Sequence, residues 1–386
     1  MKIKRSVLLV VLVCTFLSIV PLTGYADSSQ PIQIEDMTIG ILPFHTGCLW
    51  WDPFTAGGKW YLEAQGAKVM VQNAQWDTKR YNTILLAWAR DAELDGVIAA
   101  PLGGEEILPG VRALVKAGIP VAFANNEAGY APEALFSVKY DSEAACAGLA
   151  ERVVEMLIEK NGSPKGTIIL GLGDSRAPEH IERSEAIISV FEQYPEIEIR
   201  SFDTGMTAEK GTTRTATLLR TLPQTDAVIS VGMLEFIGMV NALKRENMAY
   251  PAGHEKHIIC AGVDTAPDVI NDAIREGIVD FAVDQPVLAY SAITGYYLAK
   301  YLQEGEAALP KPGDIINAED LNIEVKIPGM DLITPPTNWA PAEVIDTTEE
   351  FGHIWIKTNY VIVDKTNVDD PVLWSNITTK VADYGF

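Results

Sequence analysis

The chain is poor in cysteine, in positive charge and in long apolar runs. Four cysteines occur in 386 residues, and Cys14 falls inside an apolar leader segment. Cys48, Cys146 and Cys260 permit at most one bridge, so a disulfide framework is excluded and buried apolar surface must hold the fold. Cys146, in a helical pattern, and Cys260, at the end of an apolar strand, read as small buried hydrophobes. Lys and Arg number 30 against 52 Asp and Glu, a formal charge of −22 that becomes −25 without the three basic residues Lys2, Lys4 and Arg5. A surface that acidic repels nucleic acid and anionic membrane faces, and it keeps an exported protein soluble. Beyond the leader no segment approaches ~20 apolar residues, which excludes a spanning helix there.

Catalytic signatures are missing as well. There is no Gly-x-Ser-x-Gly elbow and no catalytic Cys/His arrangement. Gly171-Leu172-Gly173-Asp174 follows a strand pattern, but Arg176 stands where a third glycine would be and no Walker lysine follows, so no nucleotide cofactor is expected. His254 and His257 sit beside Pro251 and Gly253 in a connecting loop, which reads as solvated chain rather than a metal site. No cofactor, metal or catalytic residue is assigned.

What is present begins with a leader. Lys2, Lys4 and Arg5 precede the apolar run Ser6–Val20, then Pro21, Gly24 and the small-residue ending at Ala26. This is the pattern of a secretory signal peptide cut near Ala26, with an apolar core too short to remain as a membrane span. The remainder is long enough for two domains.

Strand-like runs then alternate with helical periodicity. Strands are predicted at Thr38–Pro43, Lys68–Val71, Gly96–Ala100 and Pro120–Phe123. A second series falls at Gly166–Leu170, Ile197–Ser201, Ala227–Val231, Ile258–Ala261 and Val279–Val283. Amphipathic helices are predicted at Thr78–Ala92, Glu143–Lys160, Glu179–Gln193, Ala208–Leu222 and Leu288–Gln303. Strand, helix, strand in repetition implies α/β architecture with parallel sheets and right-handed crossovers, and two sheets of five or six strands rather than one of ten. The stretch from Gly305 to Gly352 carries Pro310, Pro312, Pro328, Pro335, Pro336 and Pro341 and reads as an irregular insertion, with Trp339 a candidate for the cleft mouth.

Several ordered motifs add to this. Thr38-Ile39-Gly40-Ile41 runs into a loop with Trp50-Trp51, and Gly118-Ile119-Pro120-Val121 leads to Asn125-Asn126. Glu182-Arg183 follows the strand Thr167–Leu170, and Gly262-Val263-Asp264-Thr265-Ala266-Pro267 is followed by Asp284-Gln285-Pro286. The segment Tyr360–Asp369 supplies a closing strand. Together these resemble the periplasmic sugar-binding proteins of the ribose/galactose-binding type, over residues 37–304 and again near 354–370. The resemblance implies two doubly wound parallel-sheet lobes joined by a three-crossing hinge. One lobe would comprise 27–137 plus 285–353 and the other 138–284 plus 354–386, with crossings near Ser137–Tyr140, Val283–Pro286 and Trp355–Val361.

A sugar offers hydroxyls at its edge and C–H groups on its faces, matched by Asp, Asn and Arg at the edge and by aromatic rings on the faces. Such groups belong beyond the carboxyl ends of the strands. The resemblance therefore implies Trp50, Trp51, Asn125, Asn126, Arg183, Asp264 and Asp284 as ligand-binding residues. Each has a plainer reading: core packing for the tryptophans, helix capping for Asp264, pairing with Glu179 or Glu182 for Arg183, and turn chemistry for the asparagines. Where relatives carry Asp-Arg and Asn-Asp, this chain has Asn125-Asn126 and Gly232-Met233, and Phe44 takes a position that is polar in some relatives. These exchanges predict a less charged pocket. The implied function is a non-enzymatic, monomeric periplasmic binder that delivers a sugar-like molecule to a membrane ABC permease. A receptor-coupled sensor and an exported sugar-processing enzyme are the alternatives. A repressor of the same fold is disfavoured by the leader and by the lack of a DNA-binding headpiece.

Overall fold

Strands buried along their whole length can form only where helices cover both faces of a parallel sheet. Gly96–Ala99, Val121–Ala124, Ile259–Val263 and Phe281–Asp284 are of that kind, and they lie at the centres of two sheets. The computed structural model describes residues 34–91, 93–321, 323, 325–326, 333–334, 337–381 and 384. The leader and its expected cleavage point at Ala26 lie outside the described residues.

The first part of the chain runs β1 (Thr38–Leu42), α1 (Trp51–Ala64), β2 (Lys68–Val71), α2 (Thr78–Asp91), β3 (Gly96–Ala99), α3 (Leu108–Lys116), β4 (Val121–Ala124) and β5 (Phe136–Tyr140). The second continues α4 (Ser142–Asn161), β6 (Gly166–Gly171), α5 (Pro178–Phe191), β7 (Ile197–Phe202), α6 (Ala208–Thr221), β8 (Thr225–Ser230), α7 (Met233–Arg245), β9 (Ile259–Val263), α8 (Ile270–Arg275) and β10 (Phe281–Asp284). Local chemistry sets the limits: the Asp141 carboxylate accepts the Ala144 N–H at 2.9 Å to open α4, and Gly162 closes it at φ 76°.

After β10 the chain returns to the first sheet as α9 (Val287–Glu304), then forms β11 (Ile315–Ile316), α10 (Ala318–Leu321), β12 (Val325–Lys326), β13 (Ile333–Thr334), β14 (Ala342–Thr347) and β15 (His353–Thr358). It ends with β16 (Val361–Asp364) and α11 (Trp374–Thr378). The first sheet has the order β11-β14-β15-β5-β4-β3-β1-β2 and the second β16-β10-β9-β8-β6-β7, while β12 and β13 form a hairpin of their own. All pairings in the two sheets are parallel except those of β11, β14 and β16. The chain passes between the sheets after Tyr140, after Asp284 and after Thr358. The α/β architecture expected from the alternation is the one observed.

Three differences have physical causes. The first sheet holds eight strands because the proline-rich segment is not wholly irregular: β14 buries Ala342 and Val344 on one face and pairs with β15. Helix α7 escapes periodicity because its apolar surface is broad: Met233, Phe236, Met239, Val240 and Leu243 are buried on one face, and the half-buried Leu234 and Ile237 extend it. Trp339 is packed in the interior beside Asn359, whose N–H reaches its carbonyl at 2.8 Å, and it does not line the cleft. Cys48, Cys146 and Cys260 are all free thiols. Among the described residues no helix is long and apolar enough to cross a membrane.

Helices α1 and α9 make the closest crossing in the first lobe. A Cβ on Gly57 would stand 2.0 Å from the Leu288 carbonyl oxygen, and the Gly58 N–H donates to the Ser291 hydroxyl at 2.7 Å. Gly57→Ala should therefore push the two helices apart, outweighing the gain in helix propensity of about 1 kcal/mol. We expect it to lower Tm by several degrees in thermal unfolding, while Gly104→Ala, with nothing within 4 Å of the new methyl, leaves Tm nearly unchanged.

Candidate functional site

In parallel α/β sheets the chain turns at the carboxyl ends of the strands, and polar side chains gather there with backbone N–H groups and helix N-termini. Both sheets present those ends to one cavity, lined by residues of both. The first lobe contributes Cys48, Trp50 and Trp51 after β1, Trp76 after β2, Leu102 after β3 and Asn125-Asn126 after β4. From the second lobe come Glu179, His180 and Arg183 on α5, Met206, the Gly232–Glu235 turn into α7, and Asp264 after β9. Gln285 stands at the second crossing.

The aromatic wall starts where α1 starts. Trp51 is the first residue of that helix and Trp50 the one before it, so the pair is not in an open loop as the sequence suggested. Their rings meet edge to face at 4.8 Å, and Trp50 stacks on Phe54 at 5.8 Å. Trp76, at φ 60°, stacks on His45 at 4.9 Å and is 39% exposed.

Asn125 and Asp264 each follow a strand with positive φ, 68° and 72°, a conformation Asn and Asp tolerate better than most residues. Asp264 is buried and takes the Gln285 amide at 2.6 Å, while Gln285 in turn accepts the Tyr290 hydroxyl at 3.1 Å. Burial raises the Asp264 carboxyl, with Arg183 and Gln285 opposing the rise. The Trp50 indole N–H lies near this carboxylate and adds to the pull that opposes the rise. Asn126 donates to the Pro101 carbonyl at 2.6 Å, which fixes its amide orientation.

Arg183 is 2% exposed. It donates to the Val231 carbonyl at 2.9 Å, pairs with Glu179 one turn back, and lies over the Tyr140 ring at 5.5 Å. Arg183 is thus paired on its own helix, as the plainer reading has it, and also lines the cavity. Burial pushes Glu179 up to about 7 against the pull of Arg183. Burial likewise takes Glu235 up to about 7 and His180 down to about 3.

Five buried polar atoms of this wall have no hydrogen-bond partner: the donors Trp50 Nε1 and Arg183 Nε, and the acceptors Asn125 Oδ1, Asn126 Oδ1 and Glu235 Oε1. Buried polar groups are rarely left so. Donors and acceptors mixed at this spacing suit a ligand whose every hydroxyl can do both.

Six of the seven residues singled out in the sequence line this cavity; Asp284 does not. It is fully buried and accepts the Thr265 N–H at 2.9 Å, the Thr265 hydroxyl at 2.8 Å and the Trp374 indole at 2.9 Å. Successive strand residues face opposite sides, so Gln285 next to it reaches the cavity instead. Sequence reasoning also passed over Glu179, His180, Glu235 and Trp76. Glu235 carried a weak signal, because an acid in a first helical turn reads as a dipole partner. Alongside the uncharged pairs Asn125-Asn126 and Gly232-Met233, the described lining carries Glu179, Glu235 and Asp264 with Arg183.

A sequence model described as periplasmic binding protein domain matches residues 39–307. No curated protein matches the chain significantly. Among solved structures, the chain is similar to a sugar ABC transport substrate-binding protein from Bordetella parapertussis, at TM-score 0.68 and 15% identity over 93% of this chain and 98% of that one. It is similar to an ABC transporter solute-binding protein from Burkholderia graminis in complex with D-arabinose, at TM-score 0.66, 16% identity and coverage of 87% and 98%. A protein from Actinobacillus succinogenes with bound D-allose gives TM-score 0.65, 17% identity and coverage of 86% and 99%. At these identities the likeness is one of fold.

The buried carboxyls have a consequence for stability. Glu179 and Glu235 rise from 4.5, and Asp284 from 3.8, to about 7. The folded state therefore binds more protons than the unfolded one up to that value, and stability falls as pH climbs through it. His180, held low, acts in the opposite direction only below its unfolded value of 6.5. Between pH 6 and pH 8 each carboxyl should cost about 1 kcal/mol. We expect a lower Tm at pH 8 than at pH 6, and a shallower fall in Glu235→Gln; an equal fall in the variant would refute the assignment.

Proposed function

Because the chain belongs to the periplasmic binding protein family, we propose that it captures a sugar or sugar-like small molecule between two lobes and delivers it to a membrane ABC transporter. One observation carries the reading: unpartnered donors and acceptors, buried on both lobes, converge on a cavity walled by three tryptophans. Trp50, Trp51, Asn125, Asn126, Arg183 and Asp264 are the proposed ligand contacts, joined by Glu235 and Gln285. The proposed lobes are the two sheets with their helices, α9 belonging to the first and the segment from Val361 to the second. Tyr384 then stacks on Trp60 of α1 at 6.0 Å, which brings the end of the chain back to the first lobe.

Closure is a hinge motion at the three crossings, and contacts to both walls favour the closed state. A monomer suffices, since one chain supplies both walls. Export through the leader cut near Ala26 belongs to the same reading. The acids act as hydrogen-bond partners and not as acid and base: Glu179 is committed to Arg183 and Asp264 to Gln285.

The test is a thermal-shift and calorimetric screen of the mature protein against neutral and amino monosaccharides, sugar alcohols and oligosaccharides. We expect reversible stabilisation by one chemical series with no product formed. Trp51→Ala and Asp264→Ala should each weaken binding by about 1.5–3 kcal/mol, ten- to more than a hundredfold. Turnover of the ligand would overturn the binding function, and normal binding by both variants would overturn the placement of the site.

A further inference from the structure

The charges around the cavity do not cancel. Among the described residues Arg183 is the one cation in its wall, and its terminal nitrogens are already engaged by Glu179 and by the Val231 carbonyl. Asp264 has the Gln285 amide. Glu235 has only its own backbone N–H and the more distant pull of Arg183: it is 1% exposed and its Oε1 is without a partner. The nearest basic ring is His180, whose Nδ1 lies 3.9 Å from that oxygen. That nitrogen accepts the Asp174 N–H at 3.1 Å, so it carries no proton to give. The first turn of α7 supplies the equivalent of about half a positive charge, short of a full counter-ion.

We infer that the ligand of this cleft carries a protonated amine beside its hydroxyls, as in an amino sugar or aminopolyol, and that Glu235 is the carboxylate that receives it. The inference rests on the binding function proposed above and names the class of ligand for the same cavity.

A neutral polyol would meet the already buried Glu235 with hydroxyls alone and leave its charge without a counter-ion. An ammonium brings three donors and a full opposite charge to that oxygen. The rest of the wall accepts a cation as well. Trp50, Trp51 and Trp76 present aromatic rings, whose faces attract ammonium groups once water is excluded. Burial that holds Glu235 near neutrality before binding is the same condition an arriving cation would reverse.

Matched pairs decide it. The mature protein is titrated calorimetrically at pH 7.5 with glucosamine and glucose, galactosamine and galactose, mannosamine and mannose, and glucamine and sorbitol, together with the N-acetyl hexosamines. We expect at least one amine to bind about tenfold or more tighter than its neutral parent, a difference of about 1.4 kcal/mol, and its N-acetyl form to lose that advantage. In Glu235→Gln the advantage should shrink to about threefold or less, in a protein whose Tm at pH 8 is not below that of the parent. If the neutral parents bind as tightly as the amines, the amine inference falls and the polyol-binding function stands. Persistence of the preference in Glu235→Gln also overturns it. If no compound of the set binds, both fall together. Should Glu235→Gln not fold, the matched pairs on the unaltered protein decide between these outcomes alone.

Discussion

A buried guanidinium sets the terms for the centre of this molecule. Arg183 cannot shed its charge and is withdrawn from water, so the chain must surround it with acceptors. Glu179 comes from its own helix, the Val231 carbonyl from the end of the neighbouring strand, and the face of Tyr140 from the last residue of the first sheet before the chain crosses. These three contacts tie α5, the start of α7 and the first crossing to one point.

The same point explains the unusual acid balance. A single cation shared with Glu179 leaves Asp264 and Glu235 to find other partners, and the protein solves only the first case internally, through Gln285 and Tyr290. Asp284, one residue before Gln285, has its Oδ1 held by Thr265 and Trp374, away from the cavity. Two adjacent side chains therefore serve opposite ends of one design. Asp284 secures the closing helix α11 against the second sheet, and Gln285 holds the carboxylate that faces the cavity.

The proline-rich segment shows how a sheet is protected at its edge. Strands β14 and β11 extend the first sheet beyond β15 in antiparallel sense, and β11 is only two residues long. A short terminal strand offers little backbone for pairing with another chain. At the far side of that sheet β2 is likewise short and partly exposed.

Much of this was legible in the sequence. Helical and strand periodicity placed α2, α4, α5 and α6 to within a residue or two, because each buries one face and exposes the other, and the long apolar run of α9 placed it as closely although residues 287–299 are all buried. Ordered motifs placed Trp50, Trp51, Asn125, Asn126, Arg183 and Asp264, because the carboxyl ends of parallel strands are positions that sequence order alone defines. Helix α7 was hidden by its broad apolar surface, and β14 by the charges and prolines around it. Which of Asp284 and Gln285 meets the cavity depends on the face each strand residue takes, and that is set by pairing with β9 and β16. The charge of the pocket was likewise decided only by the tertiary structure. Glu179, Glu235 and Arg183 belong to two separate helices, and whether their charges cancel depends on distances across space, which sequence separation does not encode.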